Sequence, residues 1–426
     1  MYEQAKKCLL DFLGVTIAGS QMTKNKIEVL HNGIAGNENS VSLIGLHKKA
    51  GILEAALING INSHVAELDD GERFGMFHPG APIFSALLPL TQKYNINYAQ
   101  FIKGVIIGYE TSIRLSRSLQ PALKDKGFHG TGICGTIGSA IGAGIALNFT
   151  REQLKDSLSA AAASASGLLK VIKGNSEMKP YNVGIAAQNA VNAVLLVKSG
   201  FEGPSDVLDG DKGFLNAFTG QYDENQLFRT KKETPLIMGI YTKPYAACRH
   251  CHAPIEAALR LREQRDLKAH DIQSIHIKTY RWAVEGHEHT EVTGINSAKM
   301  SIPFSVAIAL YTGKAGIQEF MPEWINNKSV ITLTEKVNVF SDDNLTALVP
   351  QKRAAIVEII TEDGNNLSER IDFPKGEPET PMSVTDIEEK FLSLSDFANQ
   401  EKTVSENIMR YVRNIESDLD ALLQTI

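Results

Sequence analysis

Six stretches of the 426-residue chain carry residue types able to do chemistry, and each reads differently once its surroundings are considered. Gly130-Thr131-Gly132-Ile133-Cys134-Gly135 matches the G-x-G-x-x-G pattern that cradles a dinucleotide pyrophosphate. The residues before it, Lys124-Asp125-Lys126-Gly127-Phe128-His129, form a polar loop and not the buried strand that a dinucleotide site requires. Gly138, Gly142 and Gly144 continue the spacing, so the stretch reads as a helix packed closely through small residues. Cys248-Arg249-His250-Cys251-His252 joins a C-x-x-C to two histidines and resembles half of a zinc site. Four ligands within five residues would strain a tetrahedron, and the other cysteines, Cys8 and Cys134, stand alone in helical segments, so no metal is expected. No βαβ pattern surrounds the motif, which argues against a thioredoxin-like role, and four cysteines are too few for an iron–sulfur hydratase.

The other four stretches are polar clusters in turns. Glu67-Leu68-Asp69-Asp70-Gly71 leads through Arg73 to Phe77-His78-Pro79-Gly80, Lys126 to His129 precedes the glycine helix, and Glu177-Met178-Lys179-Pro180-Tyr181-Asn182 precedes a second small-residue helix. Lys243-Pro244-Tyr245 opens the later part of the chain. Taken singly, such an Asp pair caps a helix and such a lysine is solvated.

The elements that must position these residues change character along the chain. Up to about residue 235 apolar residues recur at helical spacing, with clear helices from Tyr2, from Ala99 to Ser118 and after Thr150-Arg151-Glu152-Gln153, a capping-box pattern. Beyond about residue 238, Ile272 to Tyr280, Ser329 to Phe340 and Ala354 to Thr361 are rich in β-branched residues and predict strands. Asp363-Gly364-Asn365-Asn366 predicts a hairpin into Leu367 to Phe373. Helical patterns at Ala253 to Gln264 and Ser297 to Tyr311 make this region α+β. Pro374 to Pro381 reads as a rigid linker, and two helices, Val384 to Phe397 and Val404 to Leu423, follow.

Lys plus Arg total 43 against 49 Asp plus Glu, a net charge of −6, which gives no general reason to expect nucleic-acid binding. Asp11 interrupts the signal-like N-terminal run, and the uncharged stretch from Gly130 to Phe149 has too few large apolar side chains for a membrane span. A soluble, cytoplasmic protein is expected, with its cysteines reduced.

The order and wording of the motifs resemble the MmgE/PrpD family. Asp11-x-x-Gly14 with Ala18-Gly19, Glu67-x-Asp69-Asp70 followed by His78-Pro79, and Gly127-Phe128-His129 with Gly135-x-x-Gly138 carry the first part. Lys179-Pro180 with Gly184-x-Ala186-Ala187, Gly200-Phe201-x-Gly203-Pro204, Lys243-Pro244-Tyr245 and Ala298-Lys299-x-Ser301 extend it through nearly the whole chain. The family includes 2-methylcitrate dehydratase, cis-aconitate decarboxylase and iminodisuccinate epimerase. The resemblance implies a mainly α protein: a helical domain built from both chain ends, residues 1–238 and 383–426, with an inserted α+β lid of residues 239–382. It also implies a homodimer, no metal or organic cofactor, and a small di- or tricarboxylate substrate. The chain begins almost at the first family helix, so a short upstream segment is expected to be absent.

Making or breaking a bond at carbon beside a carboxylate demands fixed cations and a proton carrier in a water-poor pocket. His78 and His129 are the proton carriers by type, Lys179 and Lys243 the cations the resemblance supports, and Arg249 a further cation. Asp69 and Asp70 would orient a histidine or one face of the pocket. The sequence departs from the dehydratase and the decarboxylase at Gly71, where a threonine is expected, and at Phe304, where a tyrosine is expected. Cys248 stands where the lid histidine belongs, with His250 displaced by two positions. The leading expectation is a dehydratase of a small hydroxylated polycarboxylate. An epimerase, a decarboxylase and a non-catalytic acid-binding protein are the alternatives.

Overall fold

Apolar residues three and four apart from Tyr2 onward build α1 (Tyr2–Ile34), whose Leu9, Leu13 and Ile17 are buried. Each such side chain contributes about 1.5–3 kcal/mol by leaving water. In this computed structural model, which describes residues 1–36, 38–172, 176–230 and 233–426, α1 is followed by a short antiparallel hairpin, β1 (Val41–Leu43) and β2 (Lys48–Ala50). The helices α2 (Ile52–Val65), α3 (Gly80–Tyr94), α4 (Tyr98–Leu119), α5 (Gly130–Ala146), α6 (Arg151–Ser164) and α7 (Lys179–Lys198) come next. α6 starts as its sequence predicts: Thr150 Oγ1 accepts from the Gln153 amide, and the Gln153 side chain accepts from the Thr150 amide. The glycine-rich α5 is buried along most of its length and packs on α4, where a side chain at Gly142 would press on the Gly104 carbonyl at 2.6 Å. Among the described residues no helix is long and apolar enough to cross a membrane.

The close approach that matters most for function lies between α2 and α7. A Cβ on Gly60 would stand 2.7 Å from the Gly184 Cα, and one on Gly184 would stand 2.5 Å from the Leu57 carbonyl oxygen. One turn beyond Gly60 lies His64, and just over one turn before Gly184 lies Lys179, so this contact delivers both to the same end of the helix pair. Replacing Gly184 with valine is expected to wedge the helices apart, destabilising the unit by about 1–3 kcal/mol and lowering turnover with it. Chemical denaturation beside a rate assay checks this.

The segment Thr242–Met382 forms a second unit, together with Ser176. α8 (His252–Arg265) packs on a four-stranded sheet of order β4-β3-β5-β6, formed by β3 (Ile272–Thr279), β4 (Val337–Ser341), β5 (Ala355–Thr361) and β6 (Asn366–Ile371). β3 pairs parallel with β4 and antiparallel with β5, and β5 and β6 form the predicted hairpin. Three expectations are corrected in this unit. The helical pattern from Ser297 is broken at Ser301, whose hydroxyl accepts from the Phe304 amide and starts α9 (Ile302–Thr312) after the short helix Ile295–Met300. The first half of the strand expected over Ser329 to Phe340 is helix α10 (Lys328–Glu335): Asn327 caps it, and Val330, Leu333 and Thr334 face inward at helical spacing. Pro374 to Pro381 is a folded turn, not a linker. Gly376, at φ +93°, donates to the Thr380 carbonyl and accepts from the Thr242 amide, and a Cβ there would collide with the Thr242 carbonyl.

The chain then returns to the first unit, which comprises Met1–Ile172, Glu177–Tyr241 and Ser383–Ile426. α11 (Val384–Phe397) lies against α1, where buried Asp11 accepts from Lys390 at 2.6 Å. The last expected helix is two, α12 (Lys402–Arg413) and α13 (Ile415–Thr425), because Asn414 leaves helical geometry at φ −107°, ψ 32°.

Candidate functional site

Four sequence-predicted residues of the first unit, His78, His129, Asp69 and Lys179, sit in one buried polar cluster. The loop between α2 and α3 makes it. Glu72 and Phe77 exchange backbone hydrogen bonds of 2.9 and 3.4 Å, so the chain doubles back and lays His78 beside Asp69 and Asp70. The His78 backbone is held by its amide donating to Thr131 Oγ1 at 3.1 Å, in the first turn of α5.

Hydrogen-bond partners assign the imidazole protons. His78 Nδ1 lies 2.7 Å from the Asp70 carbonyl oxygen, which can only accept, so Nδ1 carries a proton and the lone pair of the neutral ring is on Nε2. The same Nδ1 is 3.3 Å from Asp69 Oδ2. His64, at the end of α2, donates from Nδ1 to that oxygen at 2.7 Å, and its ring meets His78 edge-on at 4.8 Å between centroids. His129 has the opposite tautomer. Asn182 Nδ2 donates to His129 Nδ1 at 3.1 Å and also reaches the Leu168 carbonyl at 3.5 Å, so the proton of His129 is on Nε2. Burial, followed by the positive potential of His64, Lys179 and His78, holds the His129 pKa well below its ordinary value, and the ring is neutral. Lys179 pairs with Glu67, which sits in a left-handed turn at φ +56° just beyond α2.

Asp70 is turned away from this cluster. Its carboxylate accepts from Tyr109 Oη at 2.5 Å and from the Gly80 amide at 3.0 Å, tying the start of α3 to α4, and only its backbone carbonyl serves His78. The expected role of its side chain in substrate binding is therefore replaced by a structural one. Burial pushes its pKa up to about 7, against the favourable Tyr109 and Gly80 bonds and with repulsion from Asp69 and Asp11. A folded pKa above the unfolded value means that the folded state holds the proton more tightly. The stabilisation is full below about pH 4 and is lost as pH rises through about 7. Asp70→Asn is expected to flatten the fall in stability between pH 5 and 8, which amounts to about 2–3 kcal/mol in the wild type, as thermal unfolding at several pH values will show.

The other predicted residues belong to the second unit. Lys243 is buried at 1% exposure, as is Lys299 at 0%. Arg249 donates from Nε to Glu377 at 2.8 Å and from a second nitrogen to the same oxygen, so its charge is matched inside the protein and not held out for a substrate carboxylate. Cys248 and His250 lie beside His287, with ligand-capable atoms of all three within 4.8 Å of one another. Cys251 and His252 point elsewhere, toward the Lys299 and Ala247 carbonyls. His64, Asp69 and His78 are a second trio with ligand-capable atoms within 4.8 Å.

Sequence reasoning missed His64, Asn182, Glu377 and His287. Two had a usable signal: His64 is three residues before Glu67 at a helix end, and Asn182 is one helical turn after Lys179 on the same face. His287 and Glu377 had none, since each comes from a segment far along the chain from its partners.

Comparison with known proteins places nearly the whole chain beside one family. A family model described as the MmgE/PrpD N-terminal domain matches residues 1–226, and one described as the MmgE/PrpD C-terminal domain matches residues 245–414. The chain is 24% identical to cis-aconitate decarboxylase of Aspergillus terreus over 440 residues, covering 95% of this chain and 87% of that protein. It is 24% identical to cis-aconitate decarboxylase of Homo sapiens, covering 99% and 89%. With 2-methylcitrate dehydratase of Escherichia coli (strain K12) it shares 26% identity over 244 residues, 54% of this chain and 50% of that one.

Proposed function

Because the chain belongs to the MmgE/PrpD family, we propose that it is a lyase that eliminates water from a small hydroxylated di- or tricarboxylate, beginning with removal of a proton from carbon next to a carboxylate. The observation that carries this reading is the pair of opposed tautomers, His78 with a free Nε2 lone pair and His129 with an Nε2 proton, inside one buried cluster.

His78 is the base. Asp69 lies against its protonated side and stabilises the imidazolium that forms. The carbon–hydrogen electron pair becomes the new double bond as the hydroxyl leaves, and the proton carried by the His78 imidazolium passes to it, so that water departs and the neutral ring is restored. His129, kept neutral, donates from Nε2 to the carboxylate oxygen on which charge develops, and Asn182 fixes its orientation. Lys179, held by Glu67, binds a substrate carboxylate. Lys243 is assigned a carboxylate-binding part on the family resemblance. The protein is proposed to act as a homodimer.

Elimination is favoured over epimerisation by one local feature. The threonine expected at position 71 is Gly71, but a side chain there would run into the Tyr241 hydroxyl, so the chain retains a hydroxyl at that point. Decarboxylation is the second reading, because the relatives that match nearly the full chain carry that name.

Proton NMR in D₂O with a panel of citrate-like and succinate-like acids separates these chemistries. New olefinic signals without carbon dioxide release support the dehydratase. Carbon dioxide release replaces it with the decarboxylase, and deuterium entry with unchanged connectivity replaces it with the epimerase. Binding without turnover or exchange across the panel overturns the enzymatic reading.

A further inference from the structure

We infer that Cys248, His250 and His287 form a binding site for one zinc-class divalent transition-metal ion, held by one thiolate and two imidazoles with a fourth position open to water or a ligand oxygen. Every residue of this site belongs to the second unit, and the inference is independent of the proposed lyase chemistry. Ligand-capable atoms of the three residues lie within 4.8 Å of one another, near enough for small side-chain rotations to bring them to the roughly 3.3–3.6 Å between ligands around a tetrahedral ion with metal–sulfur and metal–nitrogen bonds of about 2.0–2.3 Å. Sulfur with two nitrogens is the donor set of a borderline-soft ion such as zinc(II) or cobalt(II), and a poor one for magnesium or calcium, which require oxygen.

Hydrogen bonds from the surrounding scaffold position the trio. Cys248 is fixed by its amide donating to the Lys299 carbonyl at 2.8 Å, and His287 by its carbonyl accepting from the Ile302 amide at 2.8 Å. Both anchors lie at the junction between the short helix Ile295–Met300 and α9, so two separate loops are tied to one rigid point. The His250 and His287 rings are 4.8 Å apart between centroids. His250 Nδ1 is 2.5 Å from the Tyr280 hydroxyl, the supporting hydrogen bond that a ligating histidine makes through its other nitrogen, leaving Nε2 for the metal. Tyr280 is itself only 1% exposed, so this partner is fixed.

The C-x-x-C spacing points to the wrong partners. Cys251 and His252 are occupied with backbone carbonyls, and the third ligand comes from 35 residues beyond His252. On binding, the Cys248 thiol gives its proton to solvent and the thiolate enters the coordination sphere.

The test uses the full chain dialysed against a chelator and titrated with cobalt(II), then with zinc(II). The expected result is one cobalt per chain with a thiolate-to-cobalt charge-transfer band in the near ultraviolet, which zinc abolishes by displacement. Cys248→Ser is expected to remove the band, and His287→Ala to weaken binding about 10–100-fold. Cys251→Ser leaves both intact. A wild-type protein that shows no such band overturns the inference without reference to any variant. So does a band that survives Cys248→Ser or disappears with Cys251→Ser. Cobalt bound without thiolate character, and lost on His64→Ala, would place the ion at His64, Asp69 and His78 and overturn it equally.

Discussion

Replacing His78 with glutamine is expected to lower kcat by about 10²–10⁴-fold with the fold intact. The position tolerates the change because the His78 backbone is held by its amide on Thr131, and a glutamine side-chain amide can still donate to the Asp70 carbonyl in place of Nδ1. What is lost is the lone pair on Nε2, which only an imidazole with its Nδ1 proton committed to the Asp70 carbonyl presents at neutral pH. Asp69→Asn is the informative companion. It preserves shape but removes the charge that both His64 and His78 face, so the imidazolium of His78 is less stabilised and the acidic limb of the rate profile moves to lower pH. Circular dichroism with steady-state rates across pH measures both variants. A His78→Gln protein with more than half of wild-type turnover would remove His78 from the base role.

The second large effect concerns stability. Glu377→Ala is expected to destabilise the second unit by about 3–5 kcal/mol, because it leaves the Arg249 guanidinium buried without its carboxylate. Glu377 is 1% exposed at its side chain and Arg249 7%, so water cannot replace the lost partner. Both tryptophans of the chain, Trp282 and Trp324, lie in this unit, so their fluorescence during urea unfolding reports on it alone. The double variant Arg249→Met, Glu377→Leu is expected to recover much of the loss, since an apolar pair of similar volume needs no desolvated charge. If Glu377→Ala unfolds at the wild-type urea concentration, the pair contributes nothing and Arg249 is available for other work.

These two sites differ in how far the sequence shows them. His78, Asp69, His129 and Lys179 are visible as motifs, and the structure gathers them. The tautomers that separate a base from a donor are not visible, because they depend on the Asp70 carbonyl and on Asn182, which no spacing rule connects to a histidine. The Asp-Asp pair shows the same limit. Two neighbouring carboxylates look equivalent on paper, yet the reversal of the chain at Glu72 and Phe77 turns Asp69 to the histidines and Asp70 into Tyr109.

Secondary structure follows the same division. The sequence by itself determined the elements whose determinants are local: the Thr150–Gln153 capping box, the β5–β6 hairpin, and the glycine spacing of α5. It misread Ser329 to Glu335, because β-branched residues favour strands only when a sheet receives them, and here burial of Val330, Leu333 and Thr334 at helical spacing prevails. Tertiary structure alone decided which side chains converge. His287 beside Cys248, Glu377 beside Arg249 and Asn182 beside His129 each require backbone segments to be brought within a few ångströms and held there by packing. Capping and turn formation act over three or four residues and are written in neighbouring letters, whereas convergence depends on the whole chain closing on itself and is written in none of them.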